Sequence, residues 1–208
     1  MRSHNLRAGI AIAGMLSVLS APAAAYDEFV SGDLSGNGLT PTFIALVSGS
    51  NPVFGTTGNP GTGTDRDYFG IAIPAGFQLS QFMLLPGSAV IGNSTFLGLQ
   101  AGTQVTLPAN ASSASGLMGA MHYTSAMVGT DLLAVLGVPF AGSSGFAPPL
   151  AAGNYAFWVQ DFGAGTVPYS FNLVVTAMPE PDTYALMLAA LGCTGFIARR
   201  RKMQSVSQ

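Results

Sequence analysis

Residues 168–176, PYSFNLVVT, decide how the chain is read. Tyr169, Phe171, Leu173 and Val175 share one parity, while Ser170, Asn172 and Thr176 share the other. A period of two puts alternate side chains on opposite faces, as in a β-strand with one face buried. The rhythm occurs earlier too, where Phe69, Ile71 and Ile73 alternate with Gly70 and Ala72. Segments 66–74 (RDYFGIAIP), 78–85 (QLSQFMLL) and 154–160 (NYAFWVQ) are short, rich in β-branched and aromatic residues, and bounded by Gly, Pro or Asn, so strands are expected there. Residues 129–137 (GTDLLAVLG) predict a helical turn capped by Thr130 or Asp131 and ended by Gly137. The Gly/Ser/Thr/Asn-rich stretches 48–64 and 109–116 are expected as loops. The fold class that follows is all-β: an antiparallel β-sandwich, jelly-roll-like, in one domain. No fixed period supports a β-solenoid.

The domain spans 26–177 because both ends of the chain read as appendages. Residues 1–25 have a basic start (Arg2, Arg7), an apolar middle over 8–19, and Ala23 and Ala25 at the small-residue positions of a signal peptide. Twelve apolar residues rise about 18 Å as a helix, well short of a bilayer core of about 30 Å. Cleavage by signal peptidase between Ala25 and Tyr26 is expected. With no twin-arginine pair, the general secretory route is implied.

The body carries seven acids, Asp27, Glu28, Asp33, Asp65, Asp67, Asp131 and Asp161, against one base, Arg66. Phosphate binding needs clustered Lys or Arg, so a nucleic-acid partner is excluded. The single cysteine, Cys193, lies in the C-terminal apolar run, so the body has neither a disulfide nor a thiolate site.

The inventory for catalysis is thin. His122 is the body's one histidine, and the body has no Lys. One histidine is too few for a three-histidine zinc site. Ser143-Ser144 in GSSGF lacks the Gly-x-Ser-x-Gly elbow, and a triad of His122, Asp131 and a serine is a weaker reading than a hydrogen-bonded structural histidine. Asp33-Leu34-Ser35-Gly36-Asn37-Gly38 opens like a calcium loop, but Ile44 stands at the twelfth position, where an EF-hand needs a bidentate acid. A different calcium site would draw on Asp33, Asn37, Asp65 and Asp67, since hard oxygens are what that ion takes. Calcium is thus the one cofactor the residues suggest, against solvated turn residues bonded to their own backbone. Trp158 is out of phase with Tyr155, Phe157 and Val159. Exposed, it would stack on a sugar ring; packed under a loop, it would follow the commoner fate of large aromatics.

The tail repays the closest reading. Residues 184–198 are free of charge and rise about 22 Å as a helix, short of the roughly 17–25 residues of a permanent span. Arg199, Arg200, Arg201 and Lys202 follow, fixing 203–208 as a cytoplasmic tail with the body outside. Pro179, Glu180 and Pro181 precede the helix. This layout over 178–202 resembles the PEP-CTERM sorting signal of Gram-negative bacteria, down to the YALML start at Tyr184 and the glycines Gly192 and Gly195. The body is similar to PEP-CTERM proteins carrying SGDLSGN, DRDYF and AGNYAFWVQ segments, and more loosely resembles the bacterial pre-peptidase C-terminal β-sandwich. The resemblance implies an exosortase substrate. It implies export across the inner membrane, transient anchoring there, and processing near Pro181. With the thin catalytic inventory, a non-enzymatic structural or interaction role is expected, in the outer envelope or the extracellular polysaccharide matrix of a biofilm. A carbohydrate-binding or adhesin module using Trp158, with calcium, is the alternative.

Overall fold

The computed structural model describes residues 26–61, 63–91, 94–178, 187–191 and 193. The signal peptide up to Ala25, the motif Pro179-Glu180-Pro181, the basic stop Arg199 to Lys202 and the tail 203–208 lie outside the described residues. Of the expected helix 184–198, residues 187–191 and 193 are described, and they are helical and exposed. Among the described residues no helix is long and apolar enough to cross a membrane.

The body is a two-sheet β-sandwich. Its alternating C-terminal stretch becomes β9 (Gly165–Ala177). Tyr169, Phe171, Leu173 and Val175 are each at most 2 % exposed, so the parity read from the sequence is the buried one. β9 pairs antiparallel with β3 (Gly49–Asn59) on one side and β5 (Phe77–Leu84) on the other, and β1 (Tyr26–Asp27) closes the far edge of β3. The second sheet runs in the order β2 (Thr42–Ile44), β4 (Asp67–Ile73), β8 (Gly153–Asp161), β6 (Thr95–Ala101), β7 (Gly119–Tyr123).

The sheets are mixed, which corrects the purely antiparallel expectation: β1 lies parallel to β3, and β2 parallel to β4. Strands β1 to β4 alternate between the two sheets, so two reversals return the chain to its starting direction beside the strand before last. Both parallel strands are short edge strands, covering ladder groups that would otherwise be open to another chain.

Strand β3 overturns the loop expected over 48–64. Its buried positions are Asn51, Val53, Gly55, Thr57 and Gly58, and all but Val53 are small or polar residues that composition alone assigns to a loop. Tertiary bonds hold them in place. The Asn51 amide donates to Val47 O (2.8 Å), Gly49 O (3.0 Å) and Leu173 O (3.0 Å), and its Oδ1 accepts Val47 N–H (2.7 Å). Thr57 Oγ1 accepts Asp161 N–H (3.2 Å). Pro52 sits just beyond the two β3 residues that β1 covers, where its missing N–H costs no ladder bond on that edge.

The inter-sheet core is a relay of rings. Phe69 and Phe157 stack at 5.0 Å, Phe157 meets Phe82 of the opposite sheet at 5.1 Å, and Phe82 meets Phe171 at 4.7 Å. Tyr169 continues the relay from Phe171 at 4.9 Å. Each such pair contributes about 0.5–1.5 kcal/mol beyond the area it buries. The expected helical turn is α2 (Leu133–Leu136), with α1 (Glu28–Ser31) earlier in the chain. Leu132, not Thr130 or Asp131, takes the cap position of α2, while Asp131 Oδ1 accepts N–H groups from Leu133 (3.0 Å) and from Phe82 (2.9 Å). That second bond ties the turn to the first sheet.

Candidate functional site

The chemistry of the body concentrates where β1 runs into α1. Asp27 has extended backbone (φ −133°, ψ 116°), and its Oδ1 accepts Phe29 N–H (3.0 Å), which starts the single turn of α1. Phe29 and Val30 are thrown outward, 90 % and 83 % exposed. Glu28 turns inward against β3: its Oε2 accepts Thr56 N–H (2.7 Å), and its Oε1 accepts Leu34 N–H (3.1 Å). Leu34, 2 % exposed, anchors the loop that carries exposed Asp33.

Asp67, the first residue of β4, completes the group. It is fully buried, and its Oδ2 accepts the Tyr169 hydroxyl (2.6 Å). Its Oδ1 is buried without a hydrogen-bond partner. One carboxylate oxygen from each of Glu28, Asp33 and Asp67 lies within 4.8 Å of the other two. Gly55 makes this convergence feasible: a Cβ there would run into the Tyr169 hydroxyl and stand 3.0 Å from Glu28 Oε1. A solvent-facing recess of about 200 Å³, lined by Glu28, Phe29, Asp33 and Thr56, opens beside the group.

Like charges this close oppose one another. Two unit charges 4 Å apart repel by about 4 kcal/mol at an effective dielectric of about 20. Burial first, and the Glu28 charge second, push the Asp67 carboxyl up to about 9, against the downward pull of the Tyr169 hydroxyl bond. Burial also raises Glu28, opposed by the N–H groups of Leu34 and Thr56. Asp65 is raised by burial and then by Asp33. Arg66, the body's one base, gives its Nε–H to Gln160 Oε1 (3.0 Å).

Of the four residues expected to form a metal site, Asp33 and Asp67 therefore converge. Asp65 stands outside the trio of mutually close oxygens, its backbone bridging to Gly58 (Asp65 N–H to Gly58 O, 2.7 Å). Asn37 Oδ1 accepts Leu39 N–H (3.0 Å), closing a local turn. Glu28 is the member that sequence reasoning missed. Leu34 and Asp33 are near it in the chain, but Thr56 of β3 and Asp67 of β4, which fix it in the group, are far along the chain, where no local spacing signals contact.

Trp158 is 5 % exposed, in line with the packed reading of the indole. It lies on the outer face of the second sheet, stacked on Tyr68 (5.5 Å) and edge-on to Phe96 (4.8 Å), in a cluster with Val105, Ala114 and Leu117. That covering segment makes both faces of β8 buried. Tyr68 covers one face of the indole. The indole also lines a recess of about 200 Å³, together with Phe96, His122, Phe140 and Phe162 among others.

His122 Nδ1 meets Ser94 Oγ at 3.2 Å, and burial lowers the imidazole from its ordinary value. Asp131 is engaged with Phe82 and Leu133 instead, so the triad of His122, Asp131 and a serine is not assembled. Of the expected cleavage junction, Tyr26 is described: it begins β1, and its hydroxyl donates to Gly32 O (2.9 Å). No family model, curated protein or solved structure matches this chain.

Proposed function

We propose that this chain is an exported protein whose body folds outside the inner membrane while residues 178–202 hold it there for processing by exosortase. Its destination is the outer envelope or the exopolysaccharide matrix, where it acts as a structural or interaction component and not as an enzyme. One observation carries the reading: the layout of the sequence at its two ends, with the basic start, apolar middle and Ala23 and Ala25 of residues 1–25, and Pro179-Glu180-Pro181, the uncharged run 184–198 and Arg199 to Lys202. The basic stop at 199–202 and the short apolar run before it supply the retention step.

The body is a jelly-roll-like sandwich in this reading, supported by strand order. One sheet reads β3, β9, β5 and then an antiparallel bridge from Met83 to Asp131; the other reads β4, β8, β6, β7. Strands β3 to β6 fall two by two into neighbouring places of the two sheets with β8 and β9 inserted, as in two wound Greek keys.

Deleting Pro179, Glu180 and Pro181 tests the sorting claim. The altered chain is expected to stay in the membrane with its basic tail attached, while the parent is recovered with a mass that starts at Tyr26 and lacks that tail. Equal release of both chains contradicts the claim.

A further inference from the structure

We propose that Glu28, Asp33 and Asp67 bind one calcium ion. The convergence of three carboxylates is the first observation. The second is independent: Asp67 is fully buried, yet its Oδ1 has no hydrogen-bond partner, although the Oδ2 beside it is satisfied by Tyr169. A buried acceptor without a partner is costly, and native folds rarely retain one without a function for it. Here the orphan oxygen belongs to the same group that Glu28 and Asp33 approach.

Donor chemistry selects the ion. All three side chains offer carboxylate oxygen and none offers nitrogen or sulfur, which favours calcium or magnesium over zinc or copper. The three donors come from a one-turn helix, a loop and a strand end, an irregular set in keeping with the flexible geometry of calcium. The recess bordered by Thr56 and Asp33 gives water access for the remaining positions of a 6–8 oxygen shell. Magnesium demands near-ideal octahedral geometry and keeps most of its own water, so it gains less from such a set. Bound there, the ion joins the segment that enters the fold at Tyr26 to β4 of the opposite sheet. The inference stands apart from the sorting reading, since it uses the folded body alone.

The full chain, purified in detergent and freed of metal with EDTA, is titrated with calcium and separately with magnesium by calorimetry and by thermal melting. Terbium, a calcium surrogate for hard oxygen sites, is added in a parallel series, with luminescence sensitised through the tyrosines and reversed by calcium. One saturable calcium site is expected, with melting raised by about 5–10 °C at about a hundred times Kd. Asp33 is exposed and its carboxylate has no hydrogen bond among the described residues, so Asp33→Asn is expected to keep the fold and to weaken binding at least about tenfold, as Asp67→Asn is. No saturable binding up to about 10 mM calcium, a concentration above the range of weak extracellular sites, overturns the proposal. So does calcium affinity unchanged in both variants, terbium luminescence that calcium does not reverse, or tighter binding of magnesium.

Discussion

Substituting Asp67 by asparagine in metal-free buffer turns the buried carboxyl into a direct probe of pH-dependent stability. In the fold Asp67 holds its proton up to about pH 9, whereas an unfolded aspartate releases it near pH 4. Between those limits the folded state binds the extra proton, so stability is fully present below about pH 4 and is lost as pH rises toward 9. The slope for one proton is about 1.4 kcal/mol per pH unit, or roughly 3–6 °C of melting temperature per unit for a body of this size. Glu28 is also raised, and its contribution has the same sign. The amide of Asp67→Asn never ionises, yet its oxygen still accepts the Tyr169 hydroxyl. Melting curves at constant ionic strength, taken in EDTA from about pH 5 to about pH 8, should show the parent falling by that slope and the variant by half of it or less. At the upper end of the range the variant should melt above the parent. Equal slopes for the two proteins, or a parent that gains stability as pH rises, would refute the reasoning.

Asn51→Leu removes four hydrogen bonds, three to Val47 and Gly49 at the entry to β3 and one to Leu173 of β9, and leaves their backbone partners unmatched, so urea unfolding should show a loss of about 2–4 kcal/mol with an unchanged m-value. Trp158, the one tryptophan, should emit at short wavelength and resist acrylamide quenching, and Trp158→Ala should cost about 3–5 kcal/mol of stability; a red-shifted, quenchable emission contradicts its packing. Gly55→Ala places a methyl group against the Tyr169 hydroxyl, displacing it from Asp67; a loss of about 1–3 kcal/mol is expected, and a variant as stable as the parent would show that the close approach is not needed.

The strands that sequence reveals have buried faces made of large apolar residues, although β6 and β7, which bury Leu97, Leu99, Met121 and Tyr123, share that character and fall outside the expected segments. β4, β5, β8 and β9 each lie within a few residues of the segments expected at 66–74, 78–85, 154–160 and 168–176. β3 escapes because its inward positions are Asn51, Gly55 and Thr57, whose fitness for a strand depends on Leu173, Tyr169 and Asp161 more than a hundred residues away. A local window holds none of those partners. The candidate site divides in the same way. Asp33 and Asp67 are legible as hard oxygen donors, whereas Glu28 joins them only once β1 and α1 have been laid against β3. The parity of Trp158 is likewise legible, but its cover is not, since Val105, Ala114 and Leu117 lie in a segment without a strand or helix signature.

The position of β9 has a mechanical consequence. The chain leaves the sandwich at Ala177 from a central strand, bonded along eleven residues of β3 on one side and along β5 on the other. A pull on the tail, with the body held elsewhere, therefore acts along β9 and loads both ladders in shear, so that many bonds must fail together. A tail leaving from an edge strand would let the same force open the bonds one at a time, like a zip. The exit strand is thus well placed to resist traction on the tail.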